Sequence, residues 1–581
     1  MRHRVFMLLG ICILLVTTAL NAAEMLTVRV TPESQEDLAQ LSDYADFAVS
    51  EIPAHRLGRS YDYLIPSIRV DEFEDFGFRH EIIYPSRAVW NDADYYSYQE
   101  IQDLLTATVA EHPDIAIMEN LGVSTRDGVI IWGLKISDNP GIQEDEPDVL
   151  FDAVIHAREP VNANILATFI NEMTDGYGVD PDITALIDET EIWIIPILNP
   201  EGYIFVQTGI DNPWWRKNKR DNDEDGVFEG VVNEYCGSSY PSFPDGVDLN
   251  RNYAEGWFTA GSGAECSIVY RGPASMSENE AQLQQMLFER EHFVAGISFH
   301  SYSEYVGYCG EDAAGIQLAE DMAASIHKEG SGYYTTEYFY GNGQSYNWMY
   351  WEHGCQAYLI ETATTFFPNG SARIAAIVES NQHGIRTLLD RVHGNGIRGH
   401  VYDASTLEPL VADLVLSGDP AINHPRRSEE IYGRFARLLE PGSYDLTVSL
   451  EGYHDQIFEN LLVSGGVPLE LEVPLYPYSS SVDEQPGRIV LLQNYPNPFN
   501  PKTILRYVLA PNSESVEVEL SIYDLAGRRI RGFHERSHGG GVHEIEWDGR
   551  NDKGVELSSG VYLYTLKAGS WTSSSKMVLA R

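Results

Sequence analysis

Phe151-Asp152-Ala153-Val154-Ile155-His156-Ala157-Arg158-Glu159-Pro160 decides the fold. An apolar run ends in a histidine, a glutamate follows three residues later, and a helical pattern starts at once at Val161 and continues to Met173. A buried strand that runs straight into a helix delivers side chains to the carboxyl edge of a sheet, where open α/β sheets bind ligands. Histidine and glutamate are both zinc ligands, and at such a corner they can converge on one ion. The stretch predicts two ligands of a metal site that distant residues complete.

Outward from this corner, strands and helices alternate. A helix is predicted over 98–112, strands over 115–120 and 129–136, a buried strand over 192–198, another over 294–299 that ends at His300, a helix over 315–328, and a buried strand over 357–360 that ends at Glu361. Alternation of this kind predicts a mixed, mainly parallel sheet flanked by helices, an α/β fold. Three candidate site residues therefore stand at strand ends. After residue 394 the pattern becomes all-β, with short alternating strands such as those around Ile397 and Tyr444, as in a sandwich. A linker rich in serine, 478–487, precedes a second all-β sandwich unit at 488–581.

At 581 residues the chain is too long for one core. Its formal charge of −48 argues against nucleic acid or anionic membranes as partners, because both need basic surface. Residues 1–23 read as a secretory signal: Arg2, His3 and Arg4, an apolar run, then small residues up to Ala23. That run is too short to span a membrane, and no other stretch is long enough. A secreted or cell-surface protein is expected. Residues 24–90 carry no site chemistry and read as a pro-segment or accessory domain ahead of a main domain at 91–393. Four cysteines remain beyond the signal, and an even number in an exported chain points to disulfides. The favoured pairing joins Cys236 to Cys266, with Cys309 to Cys355 as the weaker second.

Further motifs follow in order: Asn199-Pro200-Glu201-Gly202, Trp215-Arg216-Lys217-Asn218, Asp248-Leu249-Asn250-Arg251-Asn252 and His300-Ser301-Tyr302, with Glu361 closing its strand. With His156-Ala157-Arg158-Glu159, this ordered set resembles the zinc carboxypeptidases of the carboxypeptidase A type. The resemblance implies one zinc ion per chain held by His156, Glu159 and His300, a fourth position for water, and Glu361 as general base. It further implies that Arg216 stabilises the oxyanion and that Asn250 and Arg251 hold the terminal carboxylate of a peptide or protein substrate. Arg158 and Tyr302 would complete the cleft. A mobile tyrosine is expected at Tyr340, one residue closer to Trp348 than the family spacing, which makes Tyr346 a rival. The loop holds no acidic residue, so a preference for terminal Lys or Arg is not supported, and Tyr346 and Trp348 lean towards an apolar or aromatic side chain.

Residues 394–477 resemble the transthyretin-like sandwich that follows such peptidases. Residues 488–581, opening with Leu491-Leu492-Gln493-Asn494-Tyr495-Pro496-Asn497-Pro498-Phe499, resemble bacterial C-terminal sorting domains, which implies contact with a secretion machinery; an ordinary immunoglobulin-like module is the plainer reading. Two other functions compete with a C-terminal exopeptidase: a zinc peptidase acting on cell-wall peptides, and a catalytically dead binding protein on the same fold. Other signals compete with this site. His534-Glu535-Arg536-Ser537-His538 spells a zincin motif, but that motif needs a helix, and Gly539-Gly540-Gly541 follow directly. His543 and Glu546 lie at i and i+3 of an alternating strand and face opposite ways. The acidic turn 221–226 resembles the start of a calcium loop, yet Val232 stands where an EF-hand needs glutamate; a looser Ca2+ site is the alternative to a solvated turn.

Overall fold

The computed structural model describes residues 25–35, 37, 61–66, 79–83, 94–208, 214–228, 230, 245–418 and 426–478. Between 489 and 579 it describes all but 492–493, 495–496, 498, 500, 510–515, 525–526, 538–540 and 569–570. The signal segment, Cys236 and nearly all of the linker lie outside the described residues.

Strands β1 (Met25–Thr31), β2 (Tyr61–Pro66) and β3 (Arg79–Ile83) form a small antiparallel sheet in the order β2-β1-β3. The main sheet has eight strands: β4 (Ala116–Val123), β5 (Ile130–Ile136), β6 (Asp148–Ala153), β7 (Glu191–Ile195), β8 (Ala295–Ser301), β9 (Tyr305–Tyr308), β10 (Thr335–Tyr338) and β11 (Gln356–Thr362). Their order is β10-β9-β11-β8-β6-β7-β5-β4. The central run β11-β8-β6-β7 is parallel throughout, and β4, β5 and β9 supply the antiparallel pairings. The expected mixed, mainly parallel sheet is therefore present.

Helices cover both faces: α1 (Tyr98–Glu111), α2 (Val161–Gly176), α3 (Pro181–Asp188), α4 (Pro200–Thr208), α5 (Asn279–Glu291), α6 (Ala313–Ser325), α7 (Ser345–His353) and α8 (Ser371–Val392). Alternation along the strands sorts side chains into two cores. Val149, Phe151, Ile192 and Ile194 pack with Phe169 of α2, Leu318 of α6 and Ile385 of α8. Leu150, Trp193 and Ile195 pack instead with Leu287 and Phe288 of α5 and Met349 of α7. Parallel strands buried on both faces read as unbroken apolar runs, which is why the sequence marks them. At the start of α1, Ser97 and Glu100 form a capping box, satisfying two otherwise orphaned N–H groups.

Beyond α8 two four-stranded sheets face each other. One holds Arg434–Leu438, Gly396–Asp403, Pro468–Pro477 and Tyr453–His454; the other holds Arg426–Arg427, Asp413–Leu416, Gly442–Ser449 and Gln456–Val463. Ile397, Val401 and Val473 meet Leu414, Leu446 and Val448 between them. Past residue 489, a three-stranded and a four-stranded sheet enclose Leu505, Tyr507, Leu520 and Tyr564. His534 lies on the strand Arg529–Ser537, so the zincin-like string has no helix to carry it. His543 stacks on Tyr507 at 5.1 Å, and Glu546 pairs with Lys502 at 2.8 Å.

One expectation is corrected. Cys309 and Cys355 are free, buried thiols rather than a disulfide. Cys266 is disulfide-bonded. No helix among the described residues is long and apolar enough to cross a membrane.

Candidate metal centre and cleft

The corner after β6 is built by backbone geometry that few residues tolerate. Val154 has φ 55°, and Ala363, just after β11, has φ 59°. A β-branched residue in the left-handed region is costly and persists only where its surroundings fix it, which is typical of functional sites. Here they do. Leu198 N–H donates to Ala153 O at 3.0 Å and Asn199 N–H to Val154 O at 3.1 Å. The Asn199 amide donates to Ile155 O at 3.2 Å and to Lys217 O at 3.1 Å, and Ala157 N–H donates to Arg216 O at 3.1 Å. The motif around Asn199 thus ties the His156 corner to the segment that carries Arg216.

His156, Glu159 and His300 are all buried, and their donor atoms converge. His156 Nδ1 lies 2.9 Å from Glu159 Oε1 and 3.1 Å from His300 Nδ1, and His300 Nδ1 lies 3.4 Å from Glu159 Oε2. Zinc with bonds of about 2.0–2.1 Å spaces tetrahedral ligands roughly 3.3 Å apart, so these separations, with Glu159 facing one histidine through each of its oxygens, suit a zinc ion. Burial opposes ionisation of Glu159, but the two histidines outweigh it and hold the carboxyl well below its ordinary range.

Both histidines of this group are oriented through the nitrogen that faces away from its centre. His156 Nε2 lies 3.3 Å from Asp248 Oδ1, and the other oxygen of Asp248 accepts from Arg216 Nε at 2.9 Å. His300 Nε2 lies 3.3 Å from Ser298 Oγ, which donates to Asp152 Oδ1 at 2.7 Å; Gln284 donates to Asp152 Oδ2 at 3.0 Å. Burial pushes the Asp152 carboxyl up to about 7. Such outer partners set tautomer and ring orientation in metal sites. The sequence reading gave no role to Asp248 or Asp152. The signal for Asp152 is present: a lone acid inside an apolar strand.

Glu361 is buried on β11 and stands in register with His300 on the adjoining β8. Arg216 is buried against Asp248. Arg158 is buried, donates to Trp214 O at 3.3 Å and lies 4.3 Å over the Phe366 ring. Burial and the nearby Arg216 lower its pKa to about 9, still high enough to keep it charged near neutrality. Asn250 is buried, its Oδ1 accepting from Ser345 N–H at 2.9 Å, and Arg251 donates to Asn250 O at 2.8 Å. Tyr302 packs edge-on against Phe366 at 4.9 Å. Tyr340 is 57% exposed, whereas Tyr346 and Trp348 lie in the core of α7, at 0% and 3%. Of the two tyrosines, only Tyr340 is placed to move. Its neighbour Glu255, which the sequence reading passed over, is buried beside the phenol and with burial raises its pKa.

The acidic turn closes on itself. Asp221, Asp223 and Asp225 draw together, but they accept from the turn's own amides: Gly226 N–H at 2.9 Å, Asp225 N–H at 3.3 Å and Val227 N–H at 2.7 Å. Arg126 stands 3.6 Å from Asp221. This is the geometry of a solvated acidic turn, and nothing here supports calcium.

Residues 101–383 match the zinc carboxypeptidase family, and 499–573 match the FlgD Ig-like domain family. A zinc carboxypeptidase of Saccharothrix mutabilis subsp. capreolus is 28% identical over 325 residues, covering 51% of this chain and 69% of that protein. Carboxypeptidase A1 of Bos taurus is 28% identical over 310 residues, covering 50% of this chain and 68% of its own length. The crystal structure of carboxypeptidase A from Helicoverpa armigera superposes with a TM-score of 0.51 at 18% identity, covering 64% of this chain and 98% of the other, which shows a shared fold. Residues 101–383 form a zinc carboxypeptidase domain, and the protein is a metallocarboxypeptidase.

Proposed function

We propose that this zinc carboxypeptidase domain removes the C-terminal residue of peptides or proteins outside the cell. The observation that carries the reading is the buried donor group of His156, Glu159 and His300, with separations of 2.9–3.4 Å between facing atoms, beside a carboxylate, Glu361, in register on the next strand. Zinc held there supplies a Lewis acid and brings the pKa of water towards neutrality. The protein's own groups do the rest. Glu361 takes the proton of the attacking water on its carboxylate and hands it to the leaving amine nitrogen. Arg216, aligned by Asp248, offers its guanidinium to the developing oxyanion. Asn250 and Arg251 hold the substrate's terminal carboxylate, a task suited to the planar arginine fork. Arg158 and Tyr302 line the cleft, and Tyr340, followed by Gly341 and Gly343, swings over the bound peptide.

Export rests on residues 1–23 as a secretory signal, and residues 488–581 would engage a secretion machinery as a sorting domain. Glu361→Gln tests the mechanism. Hydrolysis of peptides ending in Phe, Leu, Lys or Glu should fall by about 10²–10⁴-fold, the usual worth of general acid–base catalysis, with zinc content unchanged. A variant that keeps full activity would remove Glu361 from the reaction. Chelator should abolish turnover of the parent protein, and added zinc should restore it.

A further inference from the structure

Arg426, on the short strand Arg426–Arg427 of the sandwich, is a buried cation to which no acceptor among the described residues is hydrogen-bonded. It is 8% exposed, and its Nε and Nη2 are shut off from solvent without a partner. A Cβ at Gly354 would stand 2.8 Å from Nε, so the arginine lies flat on the end of α7. The Tyr350 ring, 5.3 Å away, offers a π face but no acceptor in line with an N–H. Asp312 acts on Arg426 only through space, because its oxygens are engaged elsewhere: Oδ2 by Tyr350 OH at 2.6 Å, Oδ1 by Gly315 N–H at 2.7 Å and by the Gln356 amide at 3.1 Å. A buried charge whose N–H groups meet no acceptor is costly.

Arg426 lines a cavity of about 60 Å³ at the seam between the peptidase domain and the sandwich. One water needs roughly 10–15 Å³, so there is room for an ion of several heavy atoms. His292 and His353 line the cavity from the peptidase side, and Arg427, Glu429 and Arg434 from the sandwich. The other charged groups have partners. Arg427 pairs with Asp413 at 2.9 Å and Arg434 with Asp148 at 2.7 Å. Glu429 accepts from the N–H groups of Ile431, Tyr432 and Arg434 at 2.6, 2.6 and 2.9 Å, which turns its carboxylate to its own loop and away from Arg426. Arg434 adds a further buried nitrogen without an acceptor, Nη1.

We propose that this cavity binds a small inorganic oxyanion, of the phosphate or sulfate class, between the peptidase domain and the sandwich. The two orphaned nitrogens of Arg426 identify the ligand. Nε–H and Nη2–H lie along one edge of the planar guanidinium and point the same way, so together they meet two oxygens of a single anion. A monatomic ion such as chloride offers the fork one acceptor where an oxyanion offers two. The anion supplies the negative charge that Arg426 lacks, and because residues of both domains form the walls, binding holds the sandwich against the end of α7. The rival occupant is water alone, which can accept from the fork but leaves the charge uncompensated.

The test uses the full chain with its zinc in place, dialysed into buffered sodium chloride free of oxyanions. It is then titrated with sodium phosphate or sodium sulfate at constant ionic strength, by calorimetry and thermal unfolding. Saturable binding and an oxyanion-dependent rise in Tm are expected, since a ligand that binds only the folded state stabilises it. Arg426→Gln should weaken binding by at least about tenfold, the worth of a charge-assisted hydrogen bond, and abolish most of the Tm rise. Arg426→Lys, which keeps the charge and loses the fork, should weaken it as well. In chloride alone Arg426→Gln should be at least as stable as the parent, because it removes an unpaired buried charge. Arginines of the zinc cleft can also take oxyanions, so Arg251→Met is the control and should retain the site. The proposal is overturned by the absence of saturable binding up to about 10 mM phosphate and sulfate, as water alone requires. It is equally overturned by full binding in Arg426→Gln or Arg426→Lys, or by loss of binding in Arg251→Met, which would place the anion in the cleft.

Discussion

Asp248 is the residue on which most of the site geometry turns. One oxygen faces the outer nitrogen of His156 and the other accepts from Arg216, so a single carboxylate orients both side chains together, the two to which the proposed mechanism gives metal binding and oxyanion stabilisation. Its own pKa lies well below the ordinary range, because Arg216 and His156 outweigh the burial that opposes ionisation. Asp248→Asn keeps the shape and removes the charge. Zinc affinity, measured by competition with a chromogenic chelator, should fall about 10–100-fold, the usual effect of losing an outer partner. His156, Glu159 and His300, the group the structure draws together, were legible in the sequence because each stands at or next to the end of an apolar run. The roles of Asp248 and Asp152 were not, because a side chain that acts through another leaves no mark except an acid where apolar residues are expected.

Among the elements, the start of α4 shows why a motif can be recognised without its reason. Gly202 faces Lys217 O and the Asn199 amide, and a Cβ there would come within 2.7 Å of both. A backbone carbonyl cannot step aside as a flexible side chain can. Gly202→Ala should therefore cost about 1–3 kcal/mol, read as a lower denaturant midpoint with an unchanged m-value. Strands β6, β7, β8 and β11 were foreseen within a few residues, because burial on both faces writes a continuous apolar run. Helix α7 was not, because Tyr346, Trp348, Met349, Tyr350 and Trp351 are all buried, and a helix apolar all round shows no amphipathic period.

At the level of the whole molecule, the sandwich after α8 is clasped to the peptidase domain by charge. Arg434 reaches Asp148, Tyr432 OH donates to Gln143 O at 2.8 Å, and His400 stands 2.9 Å from Asp145 and 3.2 Å from Glu472 of its own sheet. Burial opposes the charge on His400, but the two carboxylates raise its pKa to about 10. A pKa raised on folding stabilises fully below the unfolded value of about 6.5 and is lost as pH climbs towards 10. The Tm difference between the parent and His400→Gln should therefore be largest near pH 6 and close to zero by pH 10. The two sandwiches were legible as all-β, while this clasp joins residues 255 positions apart and left no local trace. The free thiols Cys309 and Cys355 bear on what a cysteine count can tell. Burial raises both pKa values, and the thiolate is the species that oxidises or exchanges. Wholly buried and held as neutral thiols, they are kinetically shielded from an oxidising medium, so an even cysteine count measures neither pairing nor compartment where the fold itself keeps oxidant away.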